Sequence, residues 1–327
     1  MFRIVAIILL LAGSVFSAEP LARLGDTAIV PADAATAAKW LGQADRFTRA
    51  LSRFDRQSRL QTEREVSDAE FLRFASKAAL DWKEDELQRL KTAWAEVAKR
   101  WSKYRPPLPK TIHLIKTSGR EEGAAAYCRG AAIILPQSKL RGNARKLQRL
   151  LTHELFHILS SSQPDLRKKL YAVVGFQTLP PLSLPPELAP RKLTNPDAPL
   201  IDCRLTLKQE GGSLHLAPVL LASAKNYDAK KGGSFFRYLQ FRMMEIEPAQ
   251  GAAWRAKLKD GEPILRNVKE LPEYFEKIGR NTNYIIHPDE VLADNFVFLL
   301  WGDKDLKTPR ILEDMEKILK ASAVGAD

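Results

Sequence analysis

Cysteine, histidine and long apolar runs are all scarce in this chain. There are two cysteines, Cys128 and Cys203, and no Cys-x-x-Cys, which argues against a redox pair or a cysteine-ligated zinc site. In an oxidising compartment these two could join in a single disulfide; otherwise they are independent buried thiols. Past the first 16 residues nothing approaches the roughly 20 consecutive apolar residues that a membrane-spanning helix needs. Five histidines leave little material for a histidine-rich metal site, so any cluster among them is informative.

The first residues are themselves apolar. Met1-Phe2-Arg3 supplies a short positive start, and Ile4 to Phe16 has the length of a signal-peptide core. Ser14, Ser17 and Ala18 offer small residues for cleavage after Ser17 or Ala18. Leu11-Ala12-Gly13 is followed by Ser14 rather than by the cysteine that a lipid anchor requires. The expectation is a cleaved signal peptide over 1–18 and an exported, soluble mature chain, periplasmic or secreted. An uncleaved anchor is the alternative.

The formal charge of +12 is spread along the chain, which predicts no specific nucleic-acid partner. Its densest array, Arg46, Arg49, Arg53, Arg56 and Arg59, has helical spacing and reads as a solvated helix face. The sign of the charge permits attraction to anionic cell-envelope polymers.

Periodicity divides the chain. From Ala32 to about Tyr104 apolar residues recur every three or four positions, as in Trp40, Phe47, Leu51 and Phe54. This predicts a helical N-terminal region over 19–105, closed by Pro106-Pro107-Leu108-Pro109. A second domain is expected over 106–327. Thr111 to Lys116 alternates like a strand, and Ala124 to Leu135 is a further extended candidate. A buried helix should run from an Asn143 N-cap to Ser160. Seven prolines between Leu179 and Pro199 are incompatible with a regular helix or a central strand; that stretch reads as a surface loop, either a cleft wall or a plain crossover. Leu200 to Leu221 predicts two strands joined at Gly211-Gly212. Phe235 to Ile246, Val268 to Ile278, Pro288 to Trp301 and Pro309 to Ala321 read as helices.

Within the buried helix lies His153-Glu154-Leu155-Phe156-His157. Residues four apart share one helix face, so both imidazoles can address one metal ion. Glu154 then stands within reach of a water on that ion, the arrangement of zinc-dependent peptide hydrolysis. A catalytic zinc usually takes a third protein ligand. The metzincin pattern fails, because Ser160 and Gln163 stand where a glycine and a third histidine belong. Glu290 and Asp294 instead lie four apart on a helix that opens with Pro288. Glu290 can supply an oxygen ligand, and Asp294 can accept the outer N–H of a ligating histidine.

At these two motifs the chain resembles the gluzincins, the thermolysin-like clan of zinc peptidases. The resemblance implies an α+β, zincin-like domain with Zn²⁺ bound by His153, His157 and Glu290. It also implies Glu154 as general base and Asp294 as support for the first histidine. It does not cover the N-terminal helices, and the gap between the motifs is longer than in thermolysin.

Tyr284 and His287 precede the Glu290 helix. Either could donate to an oxyanion, and His287 is also a competing third ligand. His113 and His215 read as structural, and Asp289 as a solvated first-turn residue. The extended segment ending at Leu135 could pair with a substrate backbone. The expected activity is a zinc peptidase acting on peptide or protein substrates, most simply an endopeptidase. Its rivals are a zinc amidase acting on cell-wall peptides and a non-catalytic binding protein with a structural zinc.

Overall fold

The computed structural model describes residues 19–323. The targeting segment read in residues 1–18 lies outside them. The chain opens with a hairpin, β1 (Ala22–Leu24) and β2 (Thr27–Pro31), and continues through α1 (Ala34–Leu41), α2 (Arg46–Arg49), α3 (Arg53–Leu60), α4 (Asp68–Ser76) and α5 (Glu84–Trp101). Side-chain caps start four of these helices: Asp33, Asp45, Ser52 and Ser67 each accept a backbone N–H from the first turn.

After the proline stretch come β3 (Thr111–Thr117), β4 (Tyr127–Arg129) and β5 (Ala132–Pro136), then α6 (Ala144–Ser162) and α7 (Pro164–Val173). β2 pairs with β3 in parallel, β3 with β5 in parallel, and β4 with β5 antiparallel. The first sheet therefore runs β1-β2-β3-β5-β4 and draws strands from both sides of Pro106–Pro109. The extended segment expected over Ala124–Leu135 is a hairpin rather than one strand. Gly130, at a φ of +56°, supplies the left-handed residue of its turn. β4 is left at the edge of the sheet.

A second, antiparallel sheet contains β6 (Phe176–Thr178), β7 (Cys203–Gln209), β8 (Gly212–Ala222) and β9 (Leu239–Pro248), with Trp254–Ala256 at its far edge. The helix expected over Phe235–Ile246 is thus a short 3-10 turn followed by a strand. Residues 239–245 pair with residues 216–222 of β8, and this long-range ladder overrides a local pattern that suits either period. Last come α8 (Pro272–Ile278), α9 (Pro288–Trp301) and α10 (Arg310–Ala323). The protein is α+β. Among the described residues no helix is long and apolar enough to cross a membrane.

α6 is the centre of the main core and packs against both α5 and α9. Leu151, Leu155, Phe156, Ile158 and Leu159 are each fully buried. A side chain of this kind contributes about 1.5–3 kcal/mol relative to exposure. Phe156 and Trp101 both lie against Phe296 of α9, with ring centroids 5.6 and 6.1 Å apart. This apolar contact sets α6 and α9 side by side, and it is what brings the two motifs together.

One open alternative is decided here, and one expectation is corrected. Cys128 and Cys203 are free, buried thiols and not a disulfide; they sit on different sheets. The arginine array is a solvated face only in part: Arg46, Arg49 and Arg53 are exposed, but Arg59 is not. The array is divided between α2 and α3, and Arg59 is fully buried between Asp55 (2.7 Å) and Glu122. Two carboxylates around it offset the cost of removing a guanidinium from water. The same Asp55 accepts from the Thr194 amide (3.0 Å) and hydroxyl (2.7 Å), which ties the proline-rich loop to α3.

Candidate metal centre

α6 presents His153, Glu154 and His157, and α9 presents Glu290 and Asp294. Pro288 opens α9 at a position where its missing N–H costs nothing. Nε2 of His153 lies 3.2 Å from Oε2 of Glu290, and Nε2 of His157 lies 3.5 Å from the same oxygen. Each ring is held from behind. Nδ1 of His153 donates to Asp294 (3.0 Å), and Nδ1 of His157 donates to Asp289 (2.7 Å). An ionised carboxylate only accepts, so Nδ1 carries the proton and, in the neutral ring, Nε2 keeps its lone pair. Two lone pairs and a carboxylate oxygen then face one another, an arrangement that calls for a cation between them.

The donor set fits a divalent metal ion. One ligand atom from each of His153, His157 and Glu290 lies within 4.8 Å of the others, and both histidines have the outer support that fixes a ligating tautomer. Two further groups have the right residue types but not the right chemistry. Asp202, Cys203 and His287 cluster, yet Asp202 is already neutralised by Arg46 (3.0 Å) and Arg167 (2.7 Å). Cys128, Glu154 and Asp197 also cluster, but burial pushes the Cys128 thiol up, away from the thiolate a metal needs.

The electrostatics match this division. Burial works against a charged His153, but hydrogen bonds to Asp294 and Glu290 outweigh it and hold the ring at about 10. His157 is likewise pushed well up against burial, chiefly by the charges of Asp197 and Glu290. Burial opposes ionisation of Glu290 too, and the two imidazoles overcome it, driving the carboxyl well below its ordinary range. Glu154, by contrast, is raised by burial. Its Oε2 lies 3.4 Å from the Cys128 thiol.

A cavity of about 450 Å³ opens on the cluster, and His153, Glu154, Asp197, Tyr284 and Glu290 contribute to its wall. The Tyr284 ring stacks on His153, with centroids 6.1 Å apart and planes 12° from parallel. His287 is elsewhere. It caps α9, accepting the Asp289 amide at 3.2 Å through Nδ1, while its Nε2 faces the Cys203 sulfur at 3.5 Å. With both ring nitrogens turned to the helix end and to β7, it joins neither the ligand set nor the cavity wall.

Three residues at the site escape a reading of the sequence. Asp289, expected to be solvated, is buried and accepts from His157, from the Ser160 hydroxyl and from Tyr171 (2.9 Å). A first-turn aspartate is ordinary, and only the packing of α7 behind α9 seals it from water. Asn195 donates to Oε1 of Glu290 at 2.5 Å, and Asp197 accepts the Cys128 amide at 2.7 Å. Both come from the proline-rich loop, whose role as a cleft wall was one of two open readings.

Replacing Asp289 or Asp294 by alanine is expected to weaken metal affinity by about 10–100-fold, the usual cost of losing an outer-shell partner. Competitive titration with a chromogenic chelator measures it; wild-type affinity in both variants contradicts the assignment. No family model, curated protein or solved structure matches this chain.

Proposed function

We propose that this chain is an exported, zinc-dependent peptide-bond hydrolase of gluzincin-like design. The observation that carries the reading is the convergence of both Nε2 atoms on one Glu290 oxygen, with Glu154 in the wall of the cavity beside them. Two imidazoles and one carboxylate form a ligand set suited to zinc. A zinc ion bound there would polarise the scissile carbonyl and lower the pKa of a water from about 16 toward about 7.

The chain's own residues supply the remainder. Glu154 takes a proton from the attacking water as its oxygen bonds to the carbonyl carbon. It then passes that proton to the amide nitrogen as the C–N bond breaks, leaving a carboxylate and an amine. Asp289 and Asp294 hold the two imidazoles in the tautomer that leaves Nε2 free. Asn195 occupies Oε1 of Glu290, so that Oε2 alone faces the histidines. Tyr284, stacked at the cavity mouth, is the candidate donor to the oxyanion.

A purely structural zinc is the rival reading. Such sites are closed, with four protein ligands. The open cavity and the retained Glu154 favour a hydrolytic one. The test is to strip the metal with a chelator and digest a peptide library before and after restoring zinc. Cleavage should vanish on stripping and return with about one equivalent of zinc. A metal-loaded protein that cuts no peptide contradicts the proposal.

A further inference from the structure

β4 is the edge strand beside the metal cluster, and its outward side is already occupied. In an antiparallel ladder residues alternate between bonding their partner and pointing away from it. Cys128, opposite Ile133 in the register, gives its amide to Asp197 at 2.7 Å and therefore points outward. That outward N–H is the group an extended peptide would need in order to pair with β4. Asp197 holds it instead.

Cavities lie toward both ends of this edge. The first reaches Ala125, Ala126 and His153; the second, of about 350 Å³, reaches Gly130, Ala131 and His157. Asp197 contributes to the walls of both. A chain laid along β4 past the metal cluster would run from one into the other, and Asp197 stands across that path.

The obstruction is fastened on several sides. The Asp197 amide donates to Oδ1 of Asn195 at 3.0 Å, closing a tight turn, and Asn195 is bonded in its turn to Glu290. Just upstream, Thr194 is buried and gripped by Asp55, with its hydroxyl oxygen also 3.1 Å from the Ala50 carbonyl. Arg59 bonds both Asp55 and Glu122, which lies five residues before β4. α3 thus joins the two sides of the cleft through a buried ion network. This describes a wall rather than a loose flap.

On these grounds, and resting on the hydrolase reading above, we infer that Asp197 stops the peptide channel at the metal cluster, so that the site accepts the end of a peptide chain rather than its interior. The N-terminal helices, outside the motif resemblance, then have a role: α3 holds the stop in position. The expected activity narrows from endopeptidase to removal of residues at a chain terminus.

Binding tests this independently of turnover. Zinc-loaded Glu154→Gln protein is titrated with a synthetic peptide of about eight residues, enough to line one strand, and with versions extended at either end or at both. Extension at one end, and at both, is expected to weaken binding roughly tenfold or more, through a clash with the wall. Asp197→Gly in the same background should bind the doubly extended peptide as well as the parent. Asp197→Asn, which keeps the size and the acceptor for the Cys128 amide, should still discriminate. Wild-type digests should show cuts near one terminus only. Equal affinity for all four peptides, or cuts throughout long peptides, overturns the inference. So does discrimination that persists in a folded, zinc-replete Asp197→Gly protein, or absence of binding to every peptide. A wild type that binds selectively by chain end but cuts nothing supports the stop and instead overturns the hydrolase reading.

Discussion

Glu154→Gln is expected to retain a full complement of zinc while its peptide turnover falls by about 10²–10⁴-fold, the usual contribution of a positioned general base. The ligands His153, His157 and Glu290 are untouched, and glutamine has the size of the side chain it replaces. Its amide oxygen can still face the Cys128 thiol, which lies 3.4 Å from Oε2 of Glu154. What disappears is the capacity to take a proton from water and hand it to the leaving amine. Metal analysis and kcat/KM on the best library peptide, measured on one preparation, decide the matter. Turnover within tenfold of wild type rejects the assignment. Loss of zinc alongside loss of activity would instead make Glu154 part of the ligand set.

Arg59→Met is expected to destabilise the protein by about 3–5 kcal/mol, the cost of breaking a buried ion network from one side. Asp55, Arg59 and Glu122 are all buried, so removal of the guanidinium leaves two carboxylates without their cation in a dry setting. Burial already pushes Glu122 up to about 7 despite Arg59 beside it; the variant loses that opposing charge. Methionine preserves much of the apolar contact with Phe235, whose ring lies 4.3 Å beneath the guanidinium. Adding Glu122→Gln should recover part of the loss, because one of the orphaned charges goes with it. Urea denaturation of the single and double variants measures both effects. A single variant within about 1 kcal/mol of wild type would mean that water reaches this network and supplies what Arg59 does.

The Arg59 network shows where local pattern stops being informative. Arg46 to Arg59 has helical spacing, and spacing predicts a helix face. Whether that face meets water depends on what packs over it. Here Thr194 and Glu122, 135 and 63 residues away, close over Arg59. The same limit explains β9. Residues 239–248 become a strand because β8 lies alongside, whereas nothing within the segment itself excludes a helix. His287 illustrates it in the site: a histidine three residues before Glu290 reads naturally as a ligand, but capping α9 commits its ring to the helix end.

Sequence alone determined whatever depends on short spacing. The i, i+4 geometry of a helix puts His153 with His157, and Glu290 with Asp294, on shared faces. Asn143 sets the start of the first motif helix and Pro288 the start of the second, and the prolines after Leu179 forbid a regular α-helix or central strand there. Tertiary structure alone decided that these faces meet across 137 residues. It decided too that Asp289 backs His157, and that the proline-rich loop brings Asn195 and Asp197 to the cluster. The physical reason is range. Helix periodicity and capping act within about one turn and leave a repeating signature, whereas the meeting of α6 with α9, and of a loop with both, follows from packing one core around Phe156 and Phe296, which no local spacing records.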